Sequence, residues 1–197
     1  MEKDCFPERI QNFIRAYKTE ALAALEQIGE ESVGRLIMML AECRDAGQQI
    51  FICGNGGSAT TASHFASELG KGSSAPHGKR FRVLALTDNV AWMTALANDL
   101  DYAQVFVEQL KNYAQSGDLL IALSSSGDSS NVIQAVRWAN QRGLHTIGMT
   151  GVPGGQLARL ARHPIQVASS YTGHIEDGHF LIQHLAGYYF MQGRGGD

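Results

Sequence analysis

The sequence predicts an α/β fold in which a central parallel sheet carries helices on both faces. Short apolar segments alternate along the chain with segments of helical period, and turn residues follow each apolar segment. A chain of 197 residues, 44% of them hydrophobic, can bury one core without help from disulfides or a structural metal. We therefore expect a single domain over residues 1–197.

Two amphipathic helices are predicted first, within residues 7–46. Gly47 follows the second helix as a terminating glycine. The apolar positions at helical spacing are Ile10, Phe13, Ile14 and Tyr17, then Val33, Leu36, Ile37 and Leu40. A small sheet domain needs little of this apolar helix surface for itself. We therefore expect the two helices to pack on other copies of the chain.

An α/β sandwich is predicted over residues 47–192, with a frayed tail at 193–197. Strands are expected at 49–53, 82–87, 118–124, 145–150 and 164–168. Helices are expected at 59–69, 102–114, 131–142, 155–161 and 174–192. Open parallel sheets bind ligands at the carboxyl ends of their strands, so the loops at that edge are the expected site.

Charge and cysteine content exclude several classes of protein. A formal net charge of −3 provides no overall basic field for nucleic acid. No apolar run approaches the roughly 20 residues of a membrane span, and the acidic start does not resemble a signal peptide. Cys5, Cys43 and Cys53 are odd in number and widely spaced, as expected of free thiols. We expect a cytoplasmic protein that binds neither membrane nor nucleic acid.

Two polar loops follow predicted strands. The first, residues 53–58 (CGNGGS), has glycines that let the backbone approach a ligand and leads into a helix with exposed N–H groups. The second, residues 123–130 (LSSSGDSS), offers hydroxyl and backbone donors that suit a phosphate group without any lysine or arginine. A sugar phosphate could be divided between these two loops.

Helix capping would explain several of these residues without any ligand. Ser58 could cap the helix after the first loop, and Asp128 or Ser129 the helix after the second. By spacing alone, Asn98 and Asp99 are positioned to cap the helix that follows them. The sequence by itself leaves both interpretations open.

A third signal comes from histidine and glutamate residues at helical spacing. His64 and Glu68 are four residues apart and share a helix face, while Glu176 and His184 are eight apart and share roughly one face. Two such pairs meeting across an interface could hold zinc or another divalent metal. Considered singly, such residues are common on exposed helices, and His179 on another face is expected to be structural or to lie at a subunit contact.

The ordered set of motifs resembles the sugar isomerase (SIS) domain family over residues 10–190. The segments that carry the resemblance are 54–59 (GNGGSA), 64–68 (HFASE), 98–99 (ND), 123–129 (LSSSGDS) and 175–184 (IEDGHFLIQH). Within the family they are most similar to isomerases that convert sedoheptulose 7-phosphate to D-glycero-D-manno-heptose 7-phosphate. The resemblance implies a flavodoxin-like three-layer sandwich, a homotetramer and active sites built between subunits.

The resemblance also assigns roles residue by residue. It implies that the sugar phosphate is bound by Asn55, Gly56, Gly57, Ser58, Asn98, Asp99, Ser124, Ser125, Ser126, Ser129 and Glu176. It implies a zinc ion held by His64, Glu68, Glu176 and His184, with Glu176 where a glutamine is usual. In an aldose–ketose isomerisation through an enediol, Glu68 would act as the base and His184 as the acid.

Three departures from the family pattern keep alternatives open. Glu176 adds a negative charge, Gly173 and His174 replace an aspartate and an arginine, and Gly72 stands where a basic residue is common, next to Lys71. One alternative is an isomerase for another ketose phosphate. The other is a non-catalytic module that binds a phosphosugar or the bacterial replication initiator. The initiator-binding relative typically lacks the glutamate matched by Glu68, which favours the enzyme.

Overall fold

A computed structural model describes residues 7–73 and 79–192 of the chain, so the expected thiol of Cys5 and the expected frayed tail lie outside the described residues. The strands are β1 (Gln49–Cys53), β2 (Arg82–Ala85), β3 (Leu119–Leu123), β4 (His145–Thr150) and β5 (His163–Gln166). The helices are α1 (Glu8–Glu26), α2 (Glu30–Asp45), α3 (Gly57–Ser67), α4 (Val90–Asp99), α5 (Val107–Tyr113), α6 (Ser130–Gln141), α7 (Gly155–Leu160) and α8 (Thr172–Met191).

The five strands form one parallel sheet in the order β2-β1-β3-β4-β5. This is a doubly wound order with its switch point between β1 and β3, and it confirms the predicted fold class. The central strand β3 is buried along its whole length, which explains why it is a continuous apolar run.

Alternating side chains of the strands build a separate core on each face of the sheet. Ile50 and Ile52 of β1 face a core formed with α2, α3 and α8. Phe51 and Cys53 of the same strand face a second core formed with α5, α6 and α7. The sheet is therefore the middle of three layers. Burial raises the pKa of the Cys53 thiol to about 12, which keeps it protonated and inert at neutral pH.

The two N-terminal helices lie where the sequence predicts them, but only the second contributes strongly to the core. Gly47 ends α2 with a φ of 67°, as predicted for a terminating glycine. In α1 the buried residues are Ala21 and Ala24, whereas Phe13 is 63% exposed and Leu22 is 58% exposed. The apolar face of α1 is therefore left largely uncovered by the chain itself.

The structure corrects several predicted boundaries. Strands β2 and β3 are shorter than expected, and β5 begins and ends earlier. A π-helical segment, Glu68–Gly72, extends α3, and the predicted helix over 102–114 is divided into a 3-10 turn, Tyr102–Gln104, and α5. Helix α4 has no separate place among the predicted elements. It contains no fully buried residue, although Met93, Leu96 and Ala97 pack partly buried against the second core, and its mostly apolar sequence has no polar face to define a helical period.

The capping predictions are also corrected. Asn98 and Asp99 form the last turn of α4, and the residue that caps the next turn is Asp101, whose Oδ1 accepts from the Ala103 N–H at 2.6 Å. Ser58 is buried inside the first turn of α3, and Gly56 holds the cap position there. Ser129 holds the cap position of α6, but its side chain makes no capping hydrogen bond. Side-chain capping of a helix therefore does not explain the presence of Ser58 and Ser129.

None of the helices in the described residues combines the length and the apolar composition that a membrane crossing requires.

His179 is a buried histidine on the sheet-facing side of α8, with 1% of its surface exposed. Burial removes the imidazole from water, which lowers the pKa of His179 to about 4. The side chain therefore stays neutral at physiological pH and serves the core, in agreement with the structural role predicted for it.

We expect acid to destabilise the protein through His179. The unfolded histidine takes up its proton near pH 6.5, whereas the folded one stays neutral until about pH 4. The unfolded state thus binds more protons in this window, and the free energy of unfolding should decrease as the pH falls from 6.5 to 4, by roughly 3 kcal/mol at most. Chemical denaturation of the wild type and His179→Gln across this window tests the effect, and equal pH slopes in both would contradict it.

Candidate active site

The two polar loops meet at the carboxyl edge of the sheet, where β1 and β3 lie side by side. They enclose a cavity of about 360 Å³. Its lining consists of Asn55, Gly56, Gly57, Ser58, Leu123, Ser124, Ser125, Ser126, Ser129, Thr172 and Glu176. Nine of the eleven residues that the sequence predicts for substrate binding are thus brought together, all but Asn98 and Asp99.

The serine loop is held in place by its own hydroxyl groups. Ser124 Oγ lies 3.1 Å from Ser129 Oγ and 3.4 Å from Ser126 Oγ, and it accepts the Gly127 N–H at 3.2 Å. Ser126 Oγ accepts the Asp128 N–H at 3.2 Å. The lining of the cavity, as far as the structure describes it, contains no lysine or arginine. Neutral donors would therefore bind an anion here.

The glycine loop is joined to α6 by an amide pair that the sequence analysis does not detect. Asn55 and Asn131 exchange two hydrogen bonds of 2.9 and 2.8 Å, and the Tyr102 hydroxyl donates to Asn55 Oδ1 at 2.9 Å. Both partners come from segments far from Asn55 in the sequence. The tyrosine and the second asparagine lie outside the matched motifs, so only the fold could show them.

Glu176 reaches the cavity from the second turn of α8. Its Oε1 would collide with a Cβ on Gly57, so only glycine leaves room for the carboxylate at that point of the loop. Residues 176 and 184 are two turns apart, or about 12 Å along the helix axis. In this chain the Glu176 side chain is directed to the loops.

His64, Glu68 and His184 form a compact group between α3 and α8. One ligand atom from each lies within 4.8 Å of the others. Glu68 Oε1 is 3.2 Å from His64 Nε2 and 3.4 Å from His184 Nε2. Three of the four predicted zinc ligands are thus brought together by a single chain, and Glu176 does not belong to the group.

The Glu68 carboxylate is largely buried, in contrast to the two histidines beside it. Its side chain is 9% exposed, whereas His64 and His184 are 41% and 36% exposed. Glu68 Oε2 is buried and has no hydrogen-bond partner among the described residues. A Cβ on Gly187 of α8 would lie 2.7 Å from this oxygen. The absence of a side chain at 187 thus lets α8 press directly against the carboxylate, at the residue where α3 changes into the π-helical segment.

The remaining predicted residues lie apart from the cavity. Asn98 and Asp99 are exposed at the end of α4, where Asn98 Nδ2 donates to Asp99 Oδ1 at 2.8 Å. Lys71 is also exposed. Gly173 and His174 lie against α1, and the His174 ring is 4.5 Å from the ring of Tyr17. The substrate role of Asn98 and Asp99 therefore stays a prediction.

Comparison with known proteins agrees with this arrangement. The model of the SIS domain matches residues 15–151, which is more than half of the 197-residue chain. The chain belongs to the SIS domain family. The strand order and the three layers described above confirm the flavodoxin-like sandwich that this family implies.

Several relatives of this SIS domain protein are named phosphoheptose isomerase. A phosphoheptose isomerase from Crocosphaera subtropica is 42% identical over 139 residues, covering 71% of this chain and 70% of that protein. One from Aliarcobacter butzleri is 38% identical over 165 residues, covering 84% and 87%. The solved structure of phosphoheptose isomerase GmhA from Neisseria gonorrhoeae matches with a TM-score of 0.85 at 31% identity, covering 93% of this chain and 99% of that one.

We expect Gly187→Ala to destabilise the fold, because the new methyl group must displace the buried Glu68 carboxylate or part α8 from α3. Overpacking of this kind costs roughly 1–3 kcal/mol. Gly34→Ala is the matched control, since it also replaces a helical glycine but meets nothing within 4 Å, and it should stabilise α2 by up to about 1 kcal/mol. Urea denaturation of both variants tests this, and a Gly187→Ala variant as stable as the wild type would contradict it.

Proposed function

We propose that this SIS domain protein is an isomerase that converts sedoheptulose 7-phosphate to D-glycero-D-manno-heptose 7-phosphate. The observation that carries the proposal is a buried glutamate flanked by two histidines on α3 and α8, the same two helices whose first turns reach the serine-lined cavity. The common name of the relatives, phosphoheptose isomerase, supports the choice of a heptose phosphate.

The serine loop is proposed to hold the phosphate group. Ser124, Ser125, Ser126 and Ser129 line one side of the cavity and supply hydroxyl groups. Fixing the phosphate there positions the carbon chain, which converts the following proton transfers into reactions between groups already in place. On the other side of the cavity, Asn55 to Ser58 are proposed to bind the sugar hydroxyls, and the Glu176 carboxylate would accept hydrogen bonds from them.

The histidine and glutamate group is proposed to hold one Zn²⁺ ion per subunit. Imidazole nitrogen and carboxylate oxygen are ligands that zinc prefers, and three ligands leave positions open for a substrate. The unpartnered, buried Oε2 of Glu68 and the two nitrogens facing its Oε1 fit a cation at this point. His64, Glu68 and His184 would hold the ion, whereas Glu176, the fourth ligand expected from the sequence, faces the glycine loop instead. A bound zinc ion would polarise the carbonyl and the adjacent hydroxyl of the sugar.

Glu68 and His184 are proposed to carry out the proton transfers. In a 2-ketose, the base removes a proton from C1 and the C2 carbonyl oxygen takes up a proton, which gives the enediol. A proton then returns to C2 while the C1 hydroxyl loses its proton, so that the carbonyl group moves from C2 to C1. Glu68 is the candidate for the base because its carboxylate is fixed by burial against α8. His184 Nε2 lies 3.4 Å from Glu68 Oε1, its side chain is partly exposed, and it is proposed to return the proton.

A different ketose phosphate is the second candidate substrate. Glu176 places a carboxylate in the cavity where the family usually has a neutral amide, and such a group selects among the hydroxyls of a sugar. Comparison of several ketose phosphates in one isomerisation assay would distinguish this candidate from the heptose phosphate.

We also propose that the protein is a cytoplasmic homotetramer. Besides the apolar face of α1, the end of α8 exposes Leu185 (46%), Tyr188 (50%) and Tyr189 (37%). These side chains and His184 line one groove. Apolar surface of this extent supports a contact between copies, and the groove would bring that contact next to the proposed acid.

We expect Glu68→Gln to abolish turnover of sedoheptulose 7-phosphate, because the amide cannot accept the C1 proton. The rate should fall by at least about 1,000-fold, within the range that general-base and electrostatic contributions span together. Binding of the sugar phosphate, followed by thermal stabilisation, should persist. Glu108→Gln, which alters a half-buried glutamate on α5, is the control and should retain the wild-type rate. A near-normal rate in Glu68→Gln would remove this residue from the mechanism.

We expect the chelator-treated protein to bind one Zn²⁺ per subunit in isothermal titration calorimetry. His184→Ala removes one of the three ligands and should weaken zinc binding by at least about 100-fold. This is more than the loss of a residue that only hydrogen-bonds to a metal ligand costs. His163→Ala is the matched control, because His163 lies away from the group and contacts the Ser32 carbonyl at 2.9 Å. Equal zinc affinity in the two variants would overturn the proposed site.

A further inference from the structure

The amide pair of Asn55 and Asn131 joins the two loops of the cavity. Asn55 belongs to the glycine loop after β1, and Asn131 lies in the first turn of α6, directly after the serine loop. Asn131 is 1% exposed and does not line the cavity, so it has no access to a ligand of its own. Its side chain is used to hold Asn55.

The orientation of both amide groups is fixed by neighbouring hydrogen bonds. The Val132 N–H donates to Asn131 Oδ1 at 2.9 Å, which requires the oxygen of Asn131 at that position. Asn131 Nδ2 must then donate to Asn55 Oδ1, and Asn55 Nδ2 to Asn131 Oδ1. The Tyr102 hydroxyl also donates to Asn55 Oδ1, from the 3-10 turn.

These contacts leave the side chain of Asn55 with one hydrogen-bonding group to offer a ligand. Its Oδ1 already accepts two hydrogen bonds, which uses both lone pairs. Its Nδ2 has two hydrogens, of which one is donated to Asn131. The second N–H is therefore the group that Asn55 can present to the cavity it lines.

We propose that Asn131 and Tyr102 are positioning residues that restrict the Asn55 side chain to the role of hydrogen-bond donor toward the sugar phosphate. This inference rests on the proposed function, and it adds that the atom of the substrate at Asn55 is an acceptor oxygen, of a phosphate, a carbonyl or a hydroxyl group. Three segments of the chain meet at Asn55 for this purpose, from β1, from α6 and from the 3-10 turn.

A double-mutant cycle on the turnover of sedoheptulose 7-phosphate tests whether Asn131 acts through Asn55. Asn131→Ala should raise KM about tenfold, corresponding to the loss of a well-placed hydrogen bond, while kcat changes by less than about threefold. In an Asn55→Ala background the same substitution should have no further effect on KM. Additive effects of the two substitutions would overturn the proposal.

Two further variants separate positioning from general stability. Tyr102→Phe removes one hydroxyl from a side chain that is 51% exposed, so the fold should persist, and KM should rise about threefold in the wild type but remain unchanged in Asn55→Ala. Asn140→Ala is the matched control. It removes an asparagine at the other end of α6 that binds the Leu160 carbonyl and Thr146, and should lower stability without changing KM. An unchanged KM in Tyr102→Phe and Asn131→Ala would contradict the inference.

Hydrogen exchange of the protein without any sugar distinguishes failure of this inference from failure of the proposed function. Asn131→Ala should accelerate exchange in peptides covering residues 53–58 at least about threefold, and Asn140→Ala should not. If the wild type shows no turnover but the two variants differ in exchange as expected, the substrate assignment is overturned and the positioning role of Asn131 stands. If the wild type turns over the substrate but Asn131→Ala exchanges as slowly as the wild type over residues 53–58, the positioning role is overturned.

Discussion

The pairing of β1 with β3 is the constraint on which the rest of the site depends. Their register, from Ile50 opposite Leu119 to Cys53 opposite Ala122, brings the two strands to the edge of the sheet together. From there the chain turns to opposite faces, since α3 packs in one core and α6 in the other. The two departing loops cannot fill the space between them, and the cavity is the space that remains.

Helix α8 completes the site from the other side. It places Glu176 against the glycine loop and His184 against Glu68, although these residues are two turns apart. The helix can approach closely because a glycine stands at 187, where a side chain would meet the Glu68 carboxylate. The close approach of the α8 backbone thus fixes the position of the Glu68 carboxylate, a polar group that is costly to bury. The same helix carries the buried, neutral His179, so one element contributes both to the core and to the candidate site.

The sequence predicts the parts of this arrangement that depend on local pattern. Strands β1 and β4 lie where their apolar runs indicate, and the spacing of His64 and Glu68 places them on one face. Helix α4 could not be delimited in this way, because seven of its ten residues are apolar and no polar face marks a helical period. Asn131 could not be recognised either, since its importance arises from a contact across 76 positions of the chain. The location of Glu176 likewise depends on a glycine in a distant loop, which no spacing along α8 reveals.

The contact between α1 and α8 shows how the departures from the family pattern depend on each other. A Cβ at Gly173 would lie 2.8 Å from the Tyr17 hydroxyl, which donates to Asp177 at 2.8 Å, and the Tyr17 ring packs on His174. Positions 17 and 173 therefore cannot vary independently: a homologue with a side chain at 173 must reposition or shorten the residue at 17. The N-terminal helix and the last helix are thus fitted to each other in this chain, and a chimera that exchanges either helix alone would carry two surfaces that do not fit.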